Sequence, residues 1–232
     1  MITLGSSDTA KPGQLNLTAD NVWIDLRHMP ERFEDARPAL FLDRDGVIVV
    51  DTHYLRSPDD VLLLPGASDL IAAANRVGIP VIVVTNQSGI GRGYFNWAEL
   101  EAVQDKISRL LAEGNARWDA VFACPHHSHA LTPYIHPSHP CRKPNPGMID
   151  AARDLLNIDP ARSWIIGDKA GDLEAGRNAG LMGGVHVATH PTKAVQELSK
   201  SEGLQTDQFS VLSSPGVENI WETLSYAPVS PV

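Results

Sequence analysis

The sequence predicts an α/β fold built on a doubly wound, mainly parallel sheet, and three observations carry that expectation. Short, fully apolar runs alternate with longer stretches whose apolar residues recur at helical spacing. Several of the runs end in polar or acidic residues beside a glycine: Asp43-Arg44-Asp45-Gly46, Thr85-Asn86-Gln87-Ser88-Gly89 and Gly167-Asp168. Parallel strands joined by crossover helices point the same way, so these ends share one sheet edge, the edge where open α/β sheets hold ligands.

Residues 1 to about 37 are polar and turn-rich apart from Val22-Trp23-Ile24, and read as an extension that packs on the core without carrying chemistry. Ala39 to Leu42 is an apolar strand that delivers two carboxylates and stops at Gly46. Between there and Pro65, the runs Val47 to Val50 and Val61 to Leu64 are expected to pair as a hairpin or flap over the strand end. Apolar residues at 67, 70, 71, 74 and 77, with Gly78 as C-cap, predict a helix, and Pro80 to Val84 a buried strand. Together these make a β-α-β unit with a right-handed crossover. Asn96 and Glu99 form a capping box ahead of a helix face made by Leu100, Val103, Ile107, Leu110 and Leu111. A third strand covers 120 to 123 and ends at Cys124.

After it comes a loop to Pro144, about 20 residues, a length that in a compact domain is usually functional. Asn145 and Pro146 are expected as N-cap and N1 of a helix bearing Met148, Ile149, Ala152, Leu155 and Leu156. A fourth strand over 163–166 again ends in an acid, a helix over 172–179 closes at Gly180, and a fifth strand covers 184–188. An amphipathic stretch near 192–198, a short strand over 209–212 and a closing helix over about 216–224 complete the chain.

Composition narrows the function. The chain has 232 residues, enough for one α/β domain with extensions, and its 43% hydrophobic and 20% charged residues are those of a globular protein. A net charge of -9 argues against a general nucleic-acid or anionic-membrane surface, while leaving room for a phosphate site with local cations. No apolar run approaches the roughly 18 residues of a spanning helix, and the N-terminus lacks the pattern of a secretory signal, so a cytoplasmic address is expected. In that compartment Cys124 and Cys141 are read as metal ligands or plain thiols rather than a disulfide.

Two carboxylates two residues apart suit a divalent cation together with a nucleophile or an acid/base, although an ordinary glycine turn has the same composition. Thr85 to Gly89 offers hydroxyl, amide and backbone N–H donors for a phosphoryl oxygen. Arg142-Lys143 precedes a helix N-terminus, where cations and dipole favour an anion; the alternative is a solvated basic pair. Asp172 is either a site acid or a helix cap. Five of the nine histidines fall between 126 and 139. Cys124-x-His126 and His139-x-Cys141 form two short clips that fit a tetrahedral zinc site, structural because four protein ligands leave no open position. His127, His129 or His136 are substitutes, and a loop of exposed histidines is the alternative.

Asp43-x-Asp45-Gly46, Thr85, Lys143 and Gly167-Asp168 with Asp172 beyond occur in an order that resembles the haloacid dehalogenase (HAD) superfamily of phosphohydrolases, over about residues 39–190. The longer phrases Val83 to Gly93, Cys124 to His127, Cys141 to Met148 and Ile166 to Asp172 are similar to its branch of heptose-bisphosphate and histidinol-phosphate phosphatases. The resemblance implies a Rossmann-like, HAD-like fold in which Asp43 is the nucleophile and Asp45 the acid and base. It implies Mg²⁺ held by Asp43, the backbone carbonyl of Asp45 and Asp168, with Thr85 and Lys143 on the phosphoryl oxygens. An acid at 45 fits phosphate hydrolysis and sets dehalogenation aside. In that branch the zinc clips are Cys-x-His and Cys-x-Cys, so His139 stands where a Cys is usual.

The gaps between motifs hold only the flap and the zinc-type loop, which implies a capless enzyme with an open site. Arg44, Asn86, Gln87, Ser88, Arg92, Arg142 and Lys169 are the expected substrate contacts. A sugar bisphosphate is the expected substrate, histidinol phosphate or another small phosphomonoester the alternative. A catalytically silent, zinc-stabilised binding module is the reading of a different class. A monomer whose partner is a small phosphorylated metabolite is expected, with neither nucleic acid nor membrane.

Overall fold

The computed structural model describes residues 17–18, 21–26, 32–189 and 194–224. Strands β1 (Trp23–Asp25), β2 (Leu40–Leu42), β3 (Val81–Asn86), β4 (Ala120–Cys124), β5 (Trp164–Gly167), β6 (Gly183–Val187) and β7 (Ser210–Ser214) form one sheet in the order β1-β4-β3-β2-β5-β6-β7. All neighbours are parallel except β1, which runs antiparallel along β4 with Trp23 opposite Ala123. The chain builds outward from β2 through β3 to β4, then returns to β5 on the other side of β2. The switch point of the sheet therefore lies between β2 and β5, where a crevice opens beyond the strands' C-terminal ends.

Helices α1 (Ala67–Arg76), α2 (Ser88–Gly91), α3 (Trp97–Glu113), α4 (Gly147–Leu156), α5 (Ala170–Asn178), α6 (Ala194–Glu202) and α7 (Ile220–Thr223) connect and cover the strands. Because strand side chains alternate, the central strands feed two cores. Leu40, Leu42, Val81 and Val83 pack with Ile71 of α1, Leu100, Val103 and Ile107 of α3, and Ile220 of α7. Phe41, Ile82, Val84 and Phe122 face the other way, against Met148, Ile149 and Ala152 of α4 and Leu173 of α5.

Several elements differ from the sequence expectation for local reasons. The apolar patch Val22-Trp23-Ile24 contributes the edge strand β1. The flap segments are tied by Val50 N–H to Leu62 O (3.0 Å) and Leu64 N–H to Ile48 O (2.9 Å), with a 3₁₀ turn at Pro58–Asp60 between them. Pro146 is the N-cap of α4, and the Asn145 side chain instead donates Nδ2 to Ser138 Oγ and the His139 carbonyl. Helix α5 starts two residues before Asp172, whose carboxylate accepts the Lys169 N–H from inside the first turn. The short α2 carries no periodic signal, and α7 is a single turn. The capping box of Asn96 and Glu99 forms as expected. Most of residues 1–31, and 192–193 of the amphipathic stretch, lie outside the described residues. Among the described residues no helix is long and apolar enough to cross a membrane.

Candidate active site

Asp43 follows β2 directly and is nearly enclosed, its backbone N–H given to Ile166 O of β5 at 2.9 Å. Asp168 follows β5, and Asp172 lies in the first turn of α5. One carboxylate oxygen from each of these three falls within 4.8 Å of the others, the one such His/Cys/Asp/Glu set among the described residues. Lys143 enters from the loop before α4. Its Nζ donates to Asp43 Oδ1 (2.8 Å) and the Val84 carbonyl (2.7 Å), and lies 2.6 Å from Asp172 Oδ1. Asn86 at the end of β3 holds Lys143 by both backbone groups, accepting its N–H and donating to its C=O, each at 3.1 Å.

Three enclosed carboxylates here face one enclosed ammonium. Burial pushes Asp168 up, the neighbouring Asp172 and Asp43 add to it, and its pKa reaches about 8. Asp172 is also raised, by burial first and against the pull of Lys143. Burial alone would lower Lys143, but Asp172 and Asp43 outweigh it and hold the ammonium above its ordinary value. Lys169, half-exposed at 48%, sits 3.1 Å from Asp168 and 3.4 Å from Asp51 of the flap, and is raised likewise against its own burial. The cluster thus has more negative charge than its lysines balance, and hard carboxylate oxygens are the donor set a divalent cation such as Mg²⁺ takes. Gly46 makes the close approach possible: its φ is +88°, and a Cβ there would stand 2.6 Å from Asp168 Oδ2.

Asp45 belongs to a second network. Its carboxylate accepts from Arg44 Nε (3.1 Å) and Nη2 (2.8 and 2.9 Å) and from Gln87 Nε2 (2.9 Å). Gln87 Nε2 also donates to Thr85 Oγ1 at 2.8 Å, at the end of β3. Arg44, Asn86 and Gln87, expected as substrate contacts, therefore turn their side-chain donors onto the protein. The sequence gives the donor types but not their direction.

A cavity of about 390 Å³ opens over these strand ends. Arg44, Asn86, Gln87, Ser88, Arg142 and Lys169 line it as expected, and so do Asp51, His53 and Tyr54 of the flap and Glu197 of α6, none of which the sequence singled out. Arg92 lies outside this lining: it donates to Tyr54 Oη (3.1 Å) and reaches the His127 ring (3.0 Å), tying the flap to the histidine loop. Arg142 Nη1 donates to the His126 carbonyl at 3.0 Å.

Cys124, His126, His139 and Cys141 are all buried, and the rings of His126 and His139 stack 3.7 Å apart. Their donor atoms do not form a set within 4.8 Å as the three aspartates do. His126 Nδ1 faces the Tyr134 carbonyl at 3.3 Å, and His139 Nδ1 accepts the Cys141 N–H at 3.2 Å. Burial pushes the Cys124 thiol up to about 11, so it is neutral in this arrangement.

The chain is similar to known proteins. The HAD-hydrolase-like family pattern matches residues 140–209. The chain is 45% identical over 207 residues, 88% of its length and 94% of the relative's, to a Mesorhizobium japonicum protein named D-glycero-beta-D-manno-heptose-1,7-bisphosphate 7-phosphatase. It is 40% identical to a Vibrio cholerae protein of the same name, covering 74% of this chain and 90% of that one. A crystal structure of D,D-heptose 1,7-bisphosphate phosphatase from B. bronchiseptica, complexed with magnesium and phosphate, superposes with a TM-score of 0.68 at 34% identity, covering 81% of this chain and 97% of that one.

Proposed function

We propose, from the premise that the chain belongs to the D-glycero-beta-D-manno-heptose-1,7-bisphosphate 7-phosphatase family of HAD-like phosphatases, that it removes the 7-phosphate of that sugar bisphosphate. The observation that supports it best is the convergence of Asp43, Asp168, Asp172 and Lys143 at the sheet's switch point, beneath an open cavity.

In this reading the Asp43 carboxylate attacks phosphorus in line, forming an aspartyl-phosphate and splitting one hard hydrolysis into two steps. Asp45 gives a proton to the departing sugar oxygen, then takes one from the water that cleaves the acyl phosphate. Lys143 neutralises one oxygen of the nucleophile and, with the Thr85 hydroxyl, faces the phosphoryl oxygens, an electrostatic contribution. Asp43, the Asp45 carbonyl and Asp168 would hold Mg²⁺, which supplies positive charge against the repulsion between carboxylate and phosphate. Arg142, Lys169 and Ser88, with Tyr54 and His53 of the flap, are positioned to meet the rest of the substrate.

A structural zinc ion on Cys124, His126, His139 and Cys141 belongs to the same proposal, supported by the burial and sulfur/imidazole chemistry of the set. Elemental analysis of protein purified without added metal is expected to give about one zinc per chain; a value below about half would count against it. A monomer acting in the cytoplasm is also proposed, since a doubly charged phosphate ester does not cross a bilayer unaided.

The function is tested by phosphate release with Mg²⁺ from a panel containing the heptose bisphosphate, histidinol phosphate and simple phosphomonoesters, wild type against Asp43→Asn. The expected result is highest kcat/KM on the heptose compound and loss of all turnover in the variant. No Asp43-dependent release from any substrate would sink the proposal, and a preference for histidinol phosphate would reassign the substrate.

A further inference from the structure

We propose that Arg44, together with Gln87, is a positioning residue that fixes the Asp45 carboxylate for proton transfer to the leaving oxygen; the proposal rests on the acid role of Asp45 stated above. Arg44 lies between two acids in sequence, yet its guanidinium serves only the second. Asp43 is met by Lys143 at 2.8 Å, whereas Arg44 places Nε and Nη2 on Asp45 Oδ1 and Nη2 again on Oδ2. The two cations are thus divided between the two carboxylates.

Arg44 is only 1% exposed. Nη2 also reaches Gln87 Oε1 (3.2 Å), and Nη1, at the long distance of 3.5 Å, Oε1 of the fully buried Gln104 on α3. Enclosed and turned onto Asp45, Gln87 and Gln104, the guanidinium is spent mainly on the protein, although Arg44 borders the cavity above. Gln87 grips Asp45 Oδ2 from the other side, so both carboxylate oxygens are held by residues that follow two different strands, β2 and β3. Rotating the carboxylate would break bonds to both. The Arg44 backbone is fixed too, its carbonyl accepting the N–H groups of Ile48 (2.9 Å) and Val49 (3.0 Å). A planar guanidinium sets the plane of the carboxylate it binds; a lysine ammonium, a point charge, would not.

A positioned acid matters in proportion to how badly the leaving group needs a proton. A sugar alkoxide departs poorly without one, whereas p-nitrophenolate leaves as the anion. General acid catalysis is worth about 10²–10⁴-fold. A residue that only held the loop together would slow both substrates alike.

The test is the single-turnover rate of leaving-group release, with Mg²⁺, from heptose bisphosphate and from p-nitrophenyl phosphate. Wild type, Arg44→Met, Arg44→Lys, Gln87→Met and Asp45→Asn are compared, each checked for folding by circular dichroism. Expected for Arg44→Met and Gln87→Met is a loss of about 10²-fold or more on the sugar phosphate, less than about tenfold on the aryl phosphate, and little change in KM. Asp45→Asn should show the same selectivity, and Arg44→Lys should restore stability but not the sugar rate. Gln87→Met removes one grip without emptying a buried cation site, so it stands if Arg44→Met does not fold. Equal losses on both substrates in folded variants, or none on either, would overturn the positioning role while wild-type turnover upholds the phosphatase reading. A wild type that releases neither leaving group overturns that reading, and the positioning role with it.

Discussion

Raising the pH of the magnesium-free protein from 6.5 to 8 is expected to destabilise it, with Asp168 as the main cause. Its folded pKa is about 8 against 3.8 for an ordinary Asp, so in this window the folded chain holds a proton that the unfolded chain has lost. A group raised on folding stabilises fully below its unfolded pKa, and that stabilisation is lost as pH climbs to the folded value. At about 1.4 kcal/mol per proton per pH unit, tapering near pH 8, the loss is about 1.5 kcal/mol. Asp172, raised in the same direction, adds to it. His186, lowered by burial, acts with the opposite sign, but mainly below its ordinary 6.5, which is why the window starts there. Lys143 and Lys169 are charged in both states throughout.

The assay is thermal unfolding after dialysis into cation-free buffer. For a chain of this size the expected fall in Tm is about 3–6 °C. Saturating Mg²⁺ should remove the slope by replacing the proton, and Asp168→Asn should remove most of it. A Tm that is flat or rises from pH 6.5 to 8 without cation, or an unchanged slope in Asp168→Asn, would refute the reasoning.

Lys143→Met should abolish turnover and, at pH 8 without cation, cost about 3–5 kcal/mol in urea unfolding, because Asp43 and Asp172 lose their shared enclosed counter-charge. Gly46→Ala should weaken Mg²⁺ binding by at least about tenfold in titration calorimetry, since the new Cβ would stand 2.6 Å from Asp168 Oδ2 and the backbone is left-handed. Asn96→Ala, which removes the α3 capping box, should lower stability by about 1 kcal/mol with kcat unchanged. A kcat change in that variant would show that α3 is coupled to the site.

The strands and the acids at their ends could be read from the sequence because β2, β3 and β5 are apolar on both faces and their polar ends stand out against them. Strand β1 stands in a polar, turn-rich stretch and includes Asp25, so nothing there marks it as an edge strand. Arg44, Asn86 and Gln87 read as substrate contacts because type and spacing reveal a donor but not what consumes it. Asp172 reads equally as cap or site acid because its carboxylate makes two contacts: one oxygen caps α5, the other meets Lys143. His53 and Tyr54, at φ of +68° and +141°, occupy an irregular flap where no periodicity exists to read. Glu197 reaches the cavity only because α6 packs back on α5, with its carboxylate on the Ala170 N–H.

The most direct test of Asp43 as nucleophile is mass spectrometry of wild-type protein acid-quenched during turnover of the heptose bisphosphate with Mg²⁺. A phosphoryl adduct mapping to the peptide of Asp43, absent in Asp43→Asn, is the predicted result. Steady phosphate release with no adduct on that peptide, or release that survives Asp43→Asn, would contradict it.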